Sequence, residues 1–78
     1  MENILKLSED GKVLLEVLDK NVVEVVVPEE ITSIGKYAFY YNSYYLENLT
    51  IPSSVTYINK NAFYRSKNLK NVTFDNTN

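Results

Sequence analysis

Residues 27–39 read VPEEITSIGKYAF and residues 51–63 read IPSSVTYINKNAF, so a chain of 78 residues carries nearly the same segment twice. At a spacing of 24, Pro28 falls on Pro52, Ile31 on Val55, Ile34 on Ile58, Ala38 on Ala62, Phe39 on Phe63 and Tyr40 on Tyr64. Beyond these the spacing is 23: Leu46, Asn48, Leu49, Thr50 and Ile51 fall on Leu69, Asn71, Val72, Thr73 and Phe74, which leaves one extra residue between Tyr40 and Ser43 in the first unit. Units this short cannot each bury their own apolar face and must stack to do so. Repetition therefore supplies the core that a single small domain has difficulty building.

The periodicity changes along each unit. Leu46-x-x-Leu49-x-Ile51-Pro52 alternates as a short strand does, and it is repeated by Val22-x-x-Val25-x-Val27-Pro28 and by Leu69-x-x-Val72-x-Phe74. Three parallel strands follow, one per coil, with Pro28 and Pro52 ending strands because proline cannot donate to a ladder. The return limbs, residues 31–39 and 55–63, space their apolar residues three to five apart, as compact turns or a short helix would. Gly35 is matched by Asn59, and both residue types tolerate a left-handed backbone, so a positive φ is expected at that shared position.

The first 27 residues have a different rhythm. Residues 4–7, 12–17 and 22–27 read as strands separated by the turns at residues 8–11 and 19–21, with Asp10 and Gly11 the strongest hairpin cue. A stack needs a cover over its first coil, and this antiparallel segment is the candidate. The expected fold class is an α/β solenoid with parallel strands on one face, short helical or 3₁₀ turns on the other, and an N-terminal antiparallel hairpin cap. Its parts are the cap at residues 1–21, a first repeat at 22–45, a second at 46–68, and a third strand with its tail at 69–78, all in one domain.

The pattern V/I-P-x-x-I/V-T-x-I-G/N-x-x-A-F followed by L-x-x-L/V-T-I/F resembles the BspA-like, or Treponema pallidum-type, leucine-rich repeat. The resemblance covers residues 22–74, and DGKVLLEV at residues 10–17 resembles segments that precede such arrays. One departure is the small or cysteine residue common after A-F, which is Ser66 in the second unit and is displaced to Asn42 or Ser43 in the first. The resemblance implies a leucine-rich-repeat array that binds proteins, in a family whose members are usually long and secreted or surface-attached.

Hydrophobic residues make up 45% and charged residues 23% of the chain, a composition neither of a disordered chain nor of a membrane span. The opening MENILKLSEDGK lacks a basic segment leading into an apolar stretch of about 7 to 15 residues, so it does not read as an export signal. The chain as written is expected in the cytoplasm, or at the cell surface or outside if it is part of a longer family member. With no cysteine there are neither disulfides nor thiolate metal sites, and histidine is absent too. A net charge of −2 predicts no direct nucleic-acid contact. The charge is unevenly spread, −5 over residues 1–47 (nine acidic, four basic) and +3 over residues 48–78 (four basic, one acidic), which is either ordinary solvated surface or a basis for head-to-tail contact.

Catalysis is disfavoured. Glu29 and Glu30 are the obvious carboxylate pair, yet their repeat equivalents are Ser53 and Ser54, which is how a solvated turn behaves. Glu9, Asp10 and Gly11 lack the alternating oxygen ligands and distal glutamate of a calcium loop. No cofactor and no metal are expected. Asn48 and Asn71 each open an N-x-T triplet, but both stand at matching strand positions in a chain with ten asparagines.

Tyrosine is more informative. Tyr37, Tyr40, Tyr41, Tyr44 and Tyr45 lie within nine residues, and such rings are enriched at protein interfaces. Tyr40 matches Tyr64 and reads as structural, whereas Tyr37 matches Asn61, Tyr44 matches Lys67 and Tyr45 matches Asn68, so the coil does not demand aromatics there. Tyr37, Tyr41, Tyr44 and Tyr45 are accordingly candidate binding residues, the plainer reading being cover for the junction with the cap. A second candidate surface is the outward face of the strands, with Glu24, Asn48 and Asn71 in one column and Val26, Thr50 and Thr73 in the next. Val72 and Phe74 on the last strand leave an open edge that invites a partner or a second copy. The expected function is a non-enzymatic protein-binding module, on its own or as the N-terminal part of a longer adhesion or recognition array. The alternative is a free-standing small inhibitor, from a mobile element, that blocks a host protein or a nucleic-acid-processing complex.

Overall fold

The computed structural model describes residues 4–40, 45–64, 66 and 68–75. Seven strands run in the order β1 (Leu5–Leu7), β2 (Val13–Val17), β3 (Glu24–Val26), β4 (Ser33–Ile34), β5 (Asn48–Pro52), β6 (Tyr57–Ile58) and β7 (Asn71–Asp75). They form two sheets, ordered β1-β2-β4-β6 and β3-β5-β7. All neighbours pair parallel except β1 with β2, and from β2 onward the chain alternates between the sheets. Two parallel sheets visited in turn fit a solenoid-like repeat.

The in-register stacking read from the repeats is present. Glu24, Asn48 and Asn71 form one column, Val25, Leu49 and Val72 the next, and Val26, Thr50 and Thr73 a third. β3 and β5 each lead into a proline turn that closes in the same way, with the Ile31 N–H donating to the Pro28 carbonyl at 3.1 Å and the Val55 N–H to the Pro52 carbonyl at 3.2 Å.

The return limb, expected as compact turns or a short helix, begins extended and ends in tight turns. The Ala38 N–H donates to the Gly35 carbonyl at 3.3 Å and the Ala62 N–H to the Asn59 carbonyl at 2.9 Å. No helix occurs among the described elements, and each limb instead contributes a two-residue strand to the second parallel ladder. Ser33 and Ile34 pair with Val13 and Leu14 on one side and with Tyr57 and Ile58 on the other. The physical reason is visible in the donors. The Thr32 N–H goes to Lys12 and the Thr56 N–H to Thr32, both at 2.8 Å, so in this first part of each limb the backbone bonds between coils rather than along itself. Isoleucine, valine and threonine in these limbs also favour extension over helix.

The left-handed bend lies elsewhere too. Neither Gly35 nor Asn59 has positive φ; among the described residues only Gly11 (φ 74°) and Tyr37 (φ 62°) do. Gly35 answers instead to close approach, since a Cβ there would stand 3.1 Å from the Leu14 carbonyl oxygen. Two residues on, the coils satisfy their backbone differently. In the second, the Asn59 Oδ1 accepts the Asn61 N–H at 2.8 Å. Gly35 offers no such acceptor, and the Tyr37 N–H reaches the Asn61 carbonyl of the next coil at 3.1 Å.

Only β1 and β2 of the N-terminal segment are antiparallel, joined through the expected turn at Asp10 and Gly11. The chain does not fold back a second time at residues 19–21; it crosses to the other sheet, because β3 pairs with β5 and not with β2. The buried core runs between the sheets and comprises Leu14, Val17, Val25, Val27, Ile31, Ile34, Ala38, Phe39, Leu46, Leu49, Ile51 and Ala62. Ala38 and Ala62 leave room beside Phe39 and Phe63, whose rings stack at 5.1 Å with an interplanar angle of 10°.

Candidate functional site

Tyr37, Tyr40 and Tyr64 converge. Their ring centroids are 5.3 Å (Tyr37 to Tyr40), 5.6 Å (Tyr37 to Tyr64) and 5.5 Å (Tyr40 to Tyr64) apart, mutually tilted. The turn after β4 sets Tyr37 and Tyr40 on one coil, and the equivalent turn after β6 sets Tyr64 on the next. Tyr37 and Tyr64 are exposed over more than a third of their surface. The Lys36 Nζ lies 5.0 Å from the centre of the Tyr37 ring, within the range of a cation–π contact.

Beside the rings is a groove of about 380 Å3 lined by Leu15, Glu16, Lys20, Lys36, Tyr37 and Tyr40. Leu15 reaches it through an irregularity of the β1–β2 pair. Lys6 stands opposite Glu16 but Leu7 stands opposite Leu14, so Leu15 is the unpaired residue of a bulge and its side chain is turned out to solvent. At the groove's edge the Lys20 Nζ bonds the Glu16 carboxylate at 3.0 Å and the Val17 carbonyl at 2.7 Å. The result is an aromatic and aliphatic wall rimmed by charge of both signs.

Of the tyrosines marked by the sequence, Tyr37 belongs to this surface, Tyr45 is exposed in the turn before β5, and Tyr41 and Tyr44 lie outside the described residues. Tyr40 and Tyr64, read as structural from their matched positions, complete the cluster. Their signal was present in the repeat itself, since a pair conserved between stacked coils must place its rings next to each other. Leu15 had no such signal, because a bulge cannot be read from alternation.

The second candidate surface is laid out as the register requires, with Glu24, Asn48 and Asn71 and then Val26, Thr50 and Thr73 turned away from the core. The Asn71 Nδ2 donates to the Asn48 Oδ1 at 2.7 Å, so the amides bond each other along the column. A third concavity, about 280 Å3, is lined by Glu29, Pro52, Ser53, Ser54 and Asp75. It gathers two carboxylates and two hydroxyls, but the Ser54 Oγ donates to the Ile31 carbonyl at 2.8 Å and thereby ties one coil to the other. Among the described residues no group of three histidine, cysteine, aspartate or glutamate side chains could hold a metal ion. Nor is any helix there long and apolar enough to cross a membrane.

No curated protein and no solved structure matches the chain. The model of the BspA type leucine rich repeat region (6 copies) matches residues 18–78, starting just after β2 and taking in every strand from β3 onward. With stacked in-register strands and proline turns at the repeat period, the chain belongs to the BspA-type leucine-rich repeat family.

Proposed function

We propose that the chain is a non-enzymatic protein-binding module, a solenoid of stacked coils that grips its partner through Tyr37, Tyr40, Tyr64 and the adjoining groove. The family suggests a repeat protein-interaction module and is typically non-enzymatic. The observation that carries the reading is the backbone of Tyr37. A left-handed φ is unfavourable by about 1–2 kcal/mol for a residue with a Cβ, and the equivalent Asn61 does not adopt it. The sister coil thus has a relaxed backbone at the equivalent position, while the first coil keeps a strained aromatic where three rings meet, two of them exposed.

Such rings offer large contact area with little rotamer freedom to lose, which is why they anchor interfaces. The partner side chain fitted by the groove has an apolar body, seated between Leu15 and Tyr37. The rim of Glu16, Lys20 and Lys36 then selects for polar groups around it.

The test is a comparison of the wild-type chain with Tyr37→Asn as baits in affinity capture. Asparagine tolerates the left-handed backbone and is the residue of the sister coil, so the variant should melt within a few degrees of wild type. It should lose at least about tenfold in affinity for the captured protein, as the loss of an aromatic interface anchor does. Equal binding by the two baits, or no specific capture by either, removes this reading.

A further inference from the structure

Among the described residues, strand β7 is an outer strand of its sheet. Val72 and Phe74 stand in register with Leu49 and Ile51, yet they are 41% and 57% exposed where their neighbours are 1% and 2% exposed. The backbone is open on the same side. The Asn71 N–H donates to the Glu47 carbonyl at 3.0 Å, and peptide groups alternate sides along a ladder. Asn71, Thr73 and Asp75 therefore turn theirs toward β5, while Val72 and Phe74 turn theirs to the open edge.

We propose that this edge is a self-recognition surface, where β7 pairs antiparallel with β7 of a second copy about a twofold axis through Thr73. In that register the strand, Asn-Val-Thr-Phe-Asp, is complementary to itself. Val72 meets Phe74 of the second copy, an apolar pair on the core-facing side. Thr73 meets Thr73 on the opposite face. Asn71 meets Asp75, an amide donor facing a carboxylate acceptor. Aromatic–β-branched and Thr–Thr pairs are both favourable directly across strands. The outward peptide groups fit as well: Val72 and Phe74 of the two copies form two hydrogen-bonded pairs flanking the non-hydrogen-bonded threonine pair, four backbone bonds in all.

The other way for copies to associate is blocked. Within the chain, β4 and β5 lie beside β2 and β3 as one layer on the next. Continuing the stack into a neighbour would set β6 of one copy beside β2 of the other, a place already taken by β1. Head-to-tail growth is thus closed by the hairpin. A twofold contact at β7 closes on itself and yields a dimer, not a filament.

Sedimentation of the wild-type chain should show a concentration-dependent dimer and nothing larger. Val72→Pro removes only an N–H that points away from β5, a placement an edge strand accepts. The variant should weaken the dimer roughly thirtyfold, the loss of two net hydrogen bonds. The chain lacks cysteine, so Thr73→Cys gives a direct probe. A non-hydrogen-bonded pair holds its Cα atoms about 4.5 Å apart, within disulfide reach, and Thr73→Cys should cross-link at least about tenfold faster than Asn48→Cys on the adjacent inner strand. A strict monomer at millimolar concentration, higher oligomers, a dimer unaffected by Val72→Pro, or equal cross-linking of the two cysteine variants would each overturn the proposal. Should Val72→Pro fail to fold, the cysteine pair decides the matter.

Discussion

The two coils carry the same apolar pattern and end up with different interiors. Ile31, Ile34 and Phe39 of the first coil are fully buried, whereas Val55, Ile58 and Phe63 at the same places in the second are only partly so. The sequence pattern decides which way a side chain points, but its burial depends on having a layer on each side. The first coil has β1 and β2 on one flank and the second coil on the other; among the described residues the second coil has the first coil on one flank and only strand β7 on the other, which leaves β6 at the edge of its sheet. Stability in such a stack is therefore graded along its axis, as a nearest-neighbour picture requires.

The sharpest way to break this comparison is to delete the matched aromatic from each coil. Phe39→Ala empties a fully enclosed site and should cost roughly 3–5 kcal/mol, while Phe63→Ala, on a ring already partly solvated, should cost about half as much. Chemical denaturation read as midpoint shifts at constant slope measures both. Equal losses would mean that the two coils are one uniform core and that the axial gradient is wrong.

The same contrast explains what could be read from the residues in advance. The strand columns, the proline turns and the inward pointing of Val25, Leu49 and Phe39 were all legible, because each rests on a period or on a residue with one conformational use. The two-residue strands β4 and β6 were not legible. A spacing of three to five suits a helix as well as a tight limb, and the choice was made by hydrogen bonds to neighbouring coils, as at Thr32 and Thr56. At the candidate site the sequence marked Tyr37 but set aside Tyr40 and Tyr64, and it gave no hint of Leu15. Matching tells which residues are equivalent; only stacking shows that equivalent rings touch.

A smaller effect sharpens the comparison at the bend. Gly35 is required by the Leu14 carbonyl of the preceding layer, so Gly35→Ala should destabilise by about 1–2 kcal/mol through crowding. Asn59 already has a Cβ and works through its carboxamide, so Asn59→Ala should lose about 1 kcal/mol, one hydrogen bond to the Asn61 N–H. The decisive observation is the double variant Gly35→Asn with Asn59→Gly. If the two coils were interchangeable, the swap would be neutral by thermal melting. We expect a loss, because a side chain at residue 35 meets the Leu14 carbonyl and glycine at residue 59 no longer offers an acceptor to the Asn61 N–H.

The smallest expected effect concerns the hairpin that covers the first coil. The Asp10 carboxylate accepts the Ser8 hydroxyl at 2.7 Å and the Lys12 N–H at 3.0 Å, while the Ser8 Oγ accepts the Val13 N–H at 3.1 Å. The bond from Ser8, and after it the one from Lys12, hold the Asp10 carboxyl below its ordinary value of 3.8. A group whose pKa is lowered by folding stabilises the fold fully above its unfolded value, and that contribution fades as pH falls through the folded one. The turn should therefore be unaffected at neutral pH and loosen only below about pH 4. Amide shifts of Gly11 and Lys12 followed on acidification report it locally. Asp10→Asn, which keeps an acceptor oxygen but cannot titrate, should flatten that response while leaving the β3-β5-β7 sheet untouched. An acid transition that begins in that sheet and reaches the hairpin last would instead show that the Asp10 carboxylate does not govern the acid response of the turn.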